Sequence, residues 1–271
     1  MSTSPLSSRS IRRPAVAGLF YPGEPAGLAR NVSELLGRAD AKAPTVPKAL
    51  IAPHAGYVYS GPIAASAYAL LAPARDTIRR VILLGPTHRV SVRGLALPAA
   101  ARFATPLGTI DIDAQAVERL RALPQVVVSD DAHALEHSLE VHLPFLQTVL
   151  AEFRLVPLAV GHAEPEEVAE VLDVLWGGSE TLIVVSSDLS HYLAYAQAQR
   201  VDRATCDAIL ALRTDIDHEQ ACGATPVAGL ALAARRRKLA PELVDLRNSG
   251  DTAGDKDRVV GYASFAFYEQ P

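Results

Sequence analysis

Short runs of valine, isoleucine and leucine recur along the chain, and several contain no polar residue at all, as in Ala49-Leu50-Ile51-Ala52, Val81-Ile82-Leu83-Leu84 and Leu182-Ile183-Val184-Val185. A strand with one wet face alternates apolar and polar side chains, so a strand that is apolar throughout needs cover on both faces. Segments of helical period separate the runs. That alternation points to a single α/β domain with a central, mostly parallel sheet flanked by helices. Strands are expected at 48–53, 80–85, 93–97, 154–161, 181–187, 243–247 and 259–267, and helices at 25–38, 61–71, 114–122, 139–152, 165–176, 195–212 and 225–239. Pro62 and Pro165 are placed near helix starts, where proline is tolerated. Residues 1–12 read as a flexible N-terminal tail, followed by one domain over 13–271, because no Gly/Ser linker, low-complexity tract or repeat interrupts the rest.

At 271 residues, 49% hydrophobic and 21% charged, the chain is of ordinary globular composition and long enough to bury a large core. The net charge of -4 gives no basic excess that would suggest nucleic acid. The one basic cluster, Arg235-Arg236-Arg237-Lys238, reads as the solvated end of a helix, where cations complement the dipole. Two cysteines, Cys206 and Cys222, are too few for a disulfide framework and fit a reducing compartment. The Ser- and Arg-rich start lacks the apolar stretch of a secretory signal, and no apolar run is long enough to span a bilayer. The expectation is a cytoplasmic protein with no nucleic-acid or membrane partner.

Three apolar runs lead into polar clusters: His54-Ala55-Gly56-Tyr57, Pro86-Thr87-His88, and Ser186-Ser187-Asp188-Leu189-Ser190-His191. Ligand crevices of open α/β sheets lie at the carboxyl ends of the strands, so histidines at three such ends can converge on one cleft. One histidine alone would more often be a structural hydrogen-bonding group; the repetition of the pattern carries the argument. A fourth cluster, Glu136-His137-Ser138-Leu139-Glu140-Val141-His142, reads as a helix start. His137 and Glu140, three apart, can share a face, whereas His137 and His142 cannot. The plainer reading of this cluster is a solvated helix start whose acids complement the dipole. Cys222 precedes an apolar helix at 227–234, a position that lowers a thiol pKa and favours the metal-binding thiolate. Cys206 falls inside a helix and reads as a small buried hydrophobe. The polar loop 248–255 reads as a turn that can wall the cleft.

Together these residues resemble the Memo-like family. The resemblance is carried by Ala17-Gly18-Leu19-Phe20-Tyr21-Pro22, Ile51-Ala52-Pro53-His54-Ala55-Gly56-Tyr57, Leu84-Gly85-Pro86-Thr87-His88, the 136–144 cluster, Ser186 to His191, Cys222-Gly223 and Val260-Gly261-Tyr262-Ala263-Ser264. It implies the fold of the LigB-type class III extradiol dioxygenases, non-haem iron enzymes that bind iron with two histidines and a glutamate. It also implies His54, His88 and Cys222 as metal ligands here, with cysteine in place of the glutamate. His191 matches a cleft acid/base, Asp188 lies beside it, and His137 resembles the histidine of an Asp-His-Gly motif that here reads Glu-His-Ser. A thiolate softens the site, favouring copper or zinc while keeping iron (Fe2+). The resemblance thus implies a metal-binding protein with a redox role as an oxidoreductase. Its alternatives are a true extradiol dioxygenase and a non-catalytic adaptor that binds a peptide or protein. It further implies a radical SAM enzyme and an AMMECR-type domain as partners, and a small molecule or peptide in the cleft.

Overall fold

The fully apolar runs become the middle of one sheet. The structure is a computed structural model that describes residues 7–40 and 45–270. In chain order its elements are β1 (Ser7–Arg12), α1 (Pro25–Arg38), β2 (Ala49–Ala52), α2 (Tyr57–Tyr68), β3 (Arg80–Pro86), β4 (Leu95–Leu97), β5 (Ala100–Thr105), β6 (Gly108–Asp111), α3 (Ala114–Leu120), β7 (Val126–Val128), α4 (Asp131–Ala134), α5 (Leu143–Val149), β8 (Arg154–Val160), α6 (Pro165–Leu175), β9 (Thr181–Ser186), β10 (His191–Leu193), α7 (Tyr195–Leu210), α8 (Ala224–Arg237), β11 (Ala240–Asn248), α9 (Ser249–Thr252) and β12 (Val259–Tyr268). Turns of 3-10 helix cover Ala69–Ala74 and Glu140–His142.

The large sheet runs β10-β12-β2-β9-β3-β8-β4-β7, with β11 also paired to β12. Its centre, β2-β9-β3-β8, is parallel. Its flanks turn antiparallel where β12 meets β2 and β4 meets β8. Every residue of β2 and β9 is buried, including the polar Thr181 and Ser186 that bound the apolar run of β9. Helix α8 packs on β3 and β9 and against α6, while α2 packs on β12, β11 and β2. The end of α8 is tied down rather than free: Arg236 and Arg237 each pair with Asp173 at 3.0 Å, and the Arg237 guanidinium lies 4.8 Å from the Trp176 ring centre. Among the described residues no helix is long and apolar enough to cross a membrane.

Three expectations need correction. Residues 1–6 of the expected tail lie outside the described residues, but 7–12 form β1, which pairs in parallel with β5 in a small second sheet β1-β5-β6. The reason is Arg12, whose buried guanidinium donates to the His133 and Glu136 carbonyl oxygens and to the Glu140 carboxylate. Glu140, read as a dipole-complementing or cleft residue, is instead completely buried. It also accepts from the backbone N–H groups of Ala15 and Val16 at 2.7 and 3.0 Å and from the Tyr21 hydroxyl at 2.6 Å. This one carboxylate fastens the N-terminal segment to the 136–142 region, and burial beside it pushes the Tyr21 hydroxyl pKa upward. The third correction is that Pro62 sits inside α2, which begins at Tyr57 rather than near 61. Gly56 provides its N-terminal boundary, and the β-formers Tyr57, Val58 and Tyr59 hide the helix from a propensity reading.

Removing one member of a buried ion pair strands the other charge in the interior, at a cost of about 3–5 kcal/mol. Arg12→Ala and Glu140→Ala are therefore each expected to lower stability by that order in denaturant titrations; a loss under 1 kcal/mol would show that the N-terminal strand is not anchored here.

A second expectation concerns acid. Burial drives the His133 pKa from 6.5 down to about 4, outweighing the Nε2–H bond to the Ala96 carbonyl oxygen at 2.9 Å. Above pH 6.5 the ring is neutral folded or unfolded. Between 6.5 and 4 the unfolded chain binds a proton that the folded one refuses, so stability falls with pH through that window, by about 3 kcal/mol in all from this ring. In His133→Gln the slope of stability against pH should be shallower in that window; an unchanged slope would contradict the assignment.

Candidate metal centre

The central strands deliver the site. In the parallel register Ala52 of β2 lies beside Ser186 of β9, and Val185 of β9 beside Leu84 of β3. The chain therefore leaves three adjacent strands at nearly the same level, bringing Pro53-His54, Ser187-Asp188 and Thr87-His88 out side by side at the carboxyl edge. Cys222 reaches the same edge from the turn before α8. Gly223 makes this approach possible, because a Cβ there would lie 2.5 Å from the Ser186 carbonyl oxygen. The backbones then lock, with Cys222 N–H donating to the Asp188 carbonyl at 3.2 Å and Asp188 N–H donating to Cys222 Sγ at 3.3 Å.

The ligand-type atoms of His54, His88 and Cys222 lie within 4.8 Å of one another. Cys222 Sγ is 3.4 Å from His54 Nε2. In a tetrahedral zinc-type site a bound nitrogen and sulfur are about 3.5 Å apart, so the donor set fits one transition-metal ion with little movement. Each ring's other nitrogen is already engaged. His88 Nδ1 lies 2.8 Å from Glu136 Oε1, and His54 Nδ1 lies 2.6 Å from Ser186 Oγ. A carboxylate behind a histidine holds the proton on the facing nitrogen and leaves the other bare, the usual support of a metal-ligating imidazole.

Glu136 is suited to that task. Burial alone would raise its pKa, but hydrogen bonds from the His88 ring, the His88 N–H and the Ser138 N–H outweigh it and hold the carboxyl down at about 2. His54 is pushed well below the ordinary histidine range by burial, and further by its neighbours His88 and His137. Cys222 departs from expectation. Burial, with the adjacent Asp188 carboxylate, lifts its thiol to about 12, so its position before α8 does not make it a standing thiolate. A cation arriving between the rings has to displace that proton, as thiolate ligation requires.

The remaining sequence-selected residues divide. Asp188 is buried against the centre, and its Oδ1 accepts the His54 N–H at 2.7 Å. Burial raises its pKa, against the pull of that bond. His137 stacks on His88, ring centres 4.6 Å apart, and meets His54 edge-on at 5.4 Å. Burial lowers its pKa. His191 lies just beyond Asp188, exposed on β10, beside a Tyr192 whose φ of 60° is rare for a side chain of that size. Cys206 is buried in α7, as expected. The 248–255 loop contains the one-turn helix α9, closed by reciprocal bonds of Asn248 and Asp251, and it does not line the cleft beside His88 and Cys222. That cleft is about 390 Å³ and is also lined by Arg89, His162 and His218. A larger hollow of about 760 Å³, lined by Arg79, Arg80 and Arg154, lies at the opposite, amino end of the sheet, far from this chemistry. The sequence reading gave Glu136 no part beyond complementing a helix dipole, and Ser186 none. Their signal was adjacency alone: a carboxylate immediately before His137, and a hydroxyl at the tip of an apolar strand.

The fold and the site define an α/β protein with a candidate two-histidine, one-cysteine metal centre at the carboxyl edge of its sheet. The family model for Memo-like proteins matches residues 12–266, and the chain belongs to that family. Among its relatives are MEMO1 family proteins of Aquifex aeolicus and Archaeoglobus fulgidus. Each is 35% identical, with the alignment covering 95% of this chain and 99% of the relative. The MEMO1 family protein of Methanothermobacter thermautotrophicus is 36% identical over 93% of this chain and 99% of its own. A crystal structure of an uncharacterized protein from Escherichia coli K12 has a similar fold, with a TM-score of 0.51 at 14% identity, covering 80% of this chain and 98% of that one.

Glu136→Gln removes the carboxylate behind His88 while keeping its shape. Metal affinity, read by competition with a chelator, is expected to fall 10- to 100-fold; an unchanged affinity would show that His88 needs no such support.

Proposed function

We propose that this Memo-like protein holds one iron or copper ion between His54, His88 and Cys222 and serves as an oxidoreductase on a small molecule entering the adjacent cleft. The observation that carries this reading is the convergence of the three donors within 4.8 Å, with the other nitrogen of each histidine already engaged. A single thiolate with two imidazoles suits copper, iron or zinc better than a hard oxygen-seeking cation. When bound, the ion would supply one-electron chemistry and Lewis acidity. The protein's own part is to hold and move protons beside it. Asp188 fixes the His54 backbone. His137, stacked on His88, and the exposed His191 would take or give a proton at the substrate.

A second reading, a peptide- or protein-binding adaptor, is favoured by apolar side chains left exposed near the site segments in sequence: Leu19, Val58, Tyr59 and Tyr192. The extradiol dioxygenase reading is disfavoured, because Cys222 stands where those dioxygenases carry a glutamate.

His54→Ala, His88→Ala and Cys222→Ala are each expected to lose most of the metal, measured by elemental analysis of folded protein, while Cys206→Ala keeps it. Full occupancy in all three variants would place the metal elsewhere. His191→Ala is expected to keep the metal and lose redox turnover; loss of the metal itself would make His191 a ligand. Peptide binding that survives removal of the metal by a chelator would favour the adaptor.

A further inference from the structure

An imidazole can offer a metal only its bare nitrogen, and a neutral ring in water exchanges its proton between the two. The surroundings of His54 remove that choice. Ser186 Oγ lies 2.6 Å from the Ser138 carbonyl oxygen, 2.6 Å from His54 Nδ1 and 2.8 Å from His142 Nε2. A carbonyl oxygen only accepts, so the one hydroxyl proton must go to Ser138. The two lone pairs of the hydroxyl then remain, and both ring nitrogens must donate into them. His54 therefore carries its proton on Nδ1. Its bare nitrogen is Nε2, the atom 3.4 Å from Cys222 Sγ.

The same counting continues inward. His142, a donor at Nε2, presents a bare Nδ1, and the Tyr68 hydroxyl donates to it at 2.8 Å. Tyr68, His142, Ser186 and His54 are all buried, and the Tyr68 ring is stacked on Phe145, ring centres 5.1 Å apart. The chain of bonds ends in the core, so it has no outlet for a proton and serves orientation rather than conduction. Without His142 one lone pair of Ser186 would lack a donor. Without Tyr68, His142 would be free to present its bare nitrogen to Ser186 instead.

We propose that Ser186, backed by His142 and Tyr68, is a tautomer lock that keeps the Nε2 lone pair of His54 turned to the cleft. The three are positioning residues, and the proposal rests on the reading of His54 as a metal ligand. It gives a role to the second histidine of the 136–144 cluster, which the metal centre itself does not use.

The test reads the lock without any metal. Two-bond proton–nitrogen correlation spectra of metal-free protein labelled with 15N-histidine report each ring's tautomer. The wild type is expected to show His54 with its proton on Nδ1 and His142 with its proton on Nε2. Ser186→Ala should move His54 toward the mixed tautomers of a free ring and weaken cobalt(II) binding 10- to 100-fold. Ser186→Thr, which keeps the hydroxyl, should restore both. Tyr68→Phe, which keeps the stacked ring, should loosen the His142 tautomer, and it supplies the same readout if Ser186→Ala folds poorly. A wild-type His54 protonated on Nε2, or a tautomer that neither Ser186→Ala nor Tyr68→Phe alters, overturns the lock. Full cobalt(II) binding by His54→Ala, with the tautomer shift in Ser186→Ala still present, instead overturns the ligand reading alone.

Discussion

The parallel register of β2, β9 and β3 is the constraint on which the site depends. Ala52 beside Ser186, and Leu84 beside Val185, bring three chain exits to one level at one edge of the sheet. Strands some 4.8 Å apart place the residues that follow them within reach of a single ion. Neither flanking sheet region has this property, because β12 and β4 run antiparallel to their neighbours and deliver their ends to the other edge. A slip of one residue in β9 would exchange Ser186 and Ser187 between faces and dismantle both the His54 contact and the seat of Cys222.

Around this edge the interior is unusually polar, and nearly every group in it is paired. Glu140 is matched by Arg12, Tyr21 and two backbone N–H groups, Glu136 by His88 and neighbouring N–H groups, and Ser186 by three partners. Buried networks of this kind define one arrangement sharply when complete and are costly when broken. The 136–142 segment belongs to all three networks. It ties the N-terminal strand to the sheet through Glu140, supports His88 through Glu136 and backs Ser186 through His142 and the Ser138 carbonyl.

The α/β class and the central strands were legible in the sequence because strands covered on both faces must be apolar throughout. The starts of α1, α6 and α7 were legible from their periodicity, and that of α6 also from Pro165. Strands β5 and β6 were not: β5 is alanine-rich and half-buried, β6 is the short Gly108-Thr109-Ile110-Asp111, and the pairing of β5 with β1 is a long-range choice. His54 and His88 stood out because each follows an apolar strand, and Cys222 because it precedes a helix, but only the resemblance to Memo-like proteins grouped the three as ligands. Glu140 was misread, because a carboxylate in the first turn of a helix looks solvated until the Arg12 that neutralises it, 128 residues away, is placed beside it. The Cys222 thiol was misread for a related reason: a helix start favours thiolate locally, but burial beside Asp188 opposes it more strongly.

The central claim is that a thiolate and two imidazoles meet at one ion. X-ray absorption at the edge of the metal carried by the purified protein tests it most directly. The account requires one sulfur scatterer at about 2.3 Å together with imidazole nitrogens near 2.0–2.1 Å. A spectrum fitted by oxygen and nitrogen alone, with no sulfur in the coordination sphere, would contradict it.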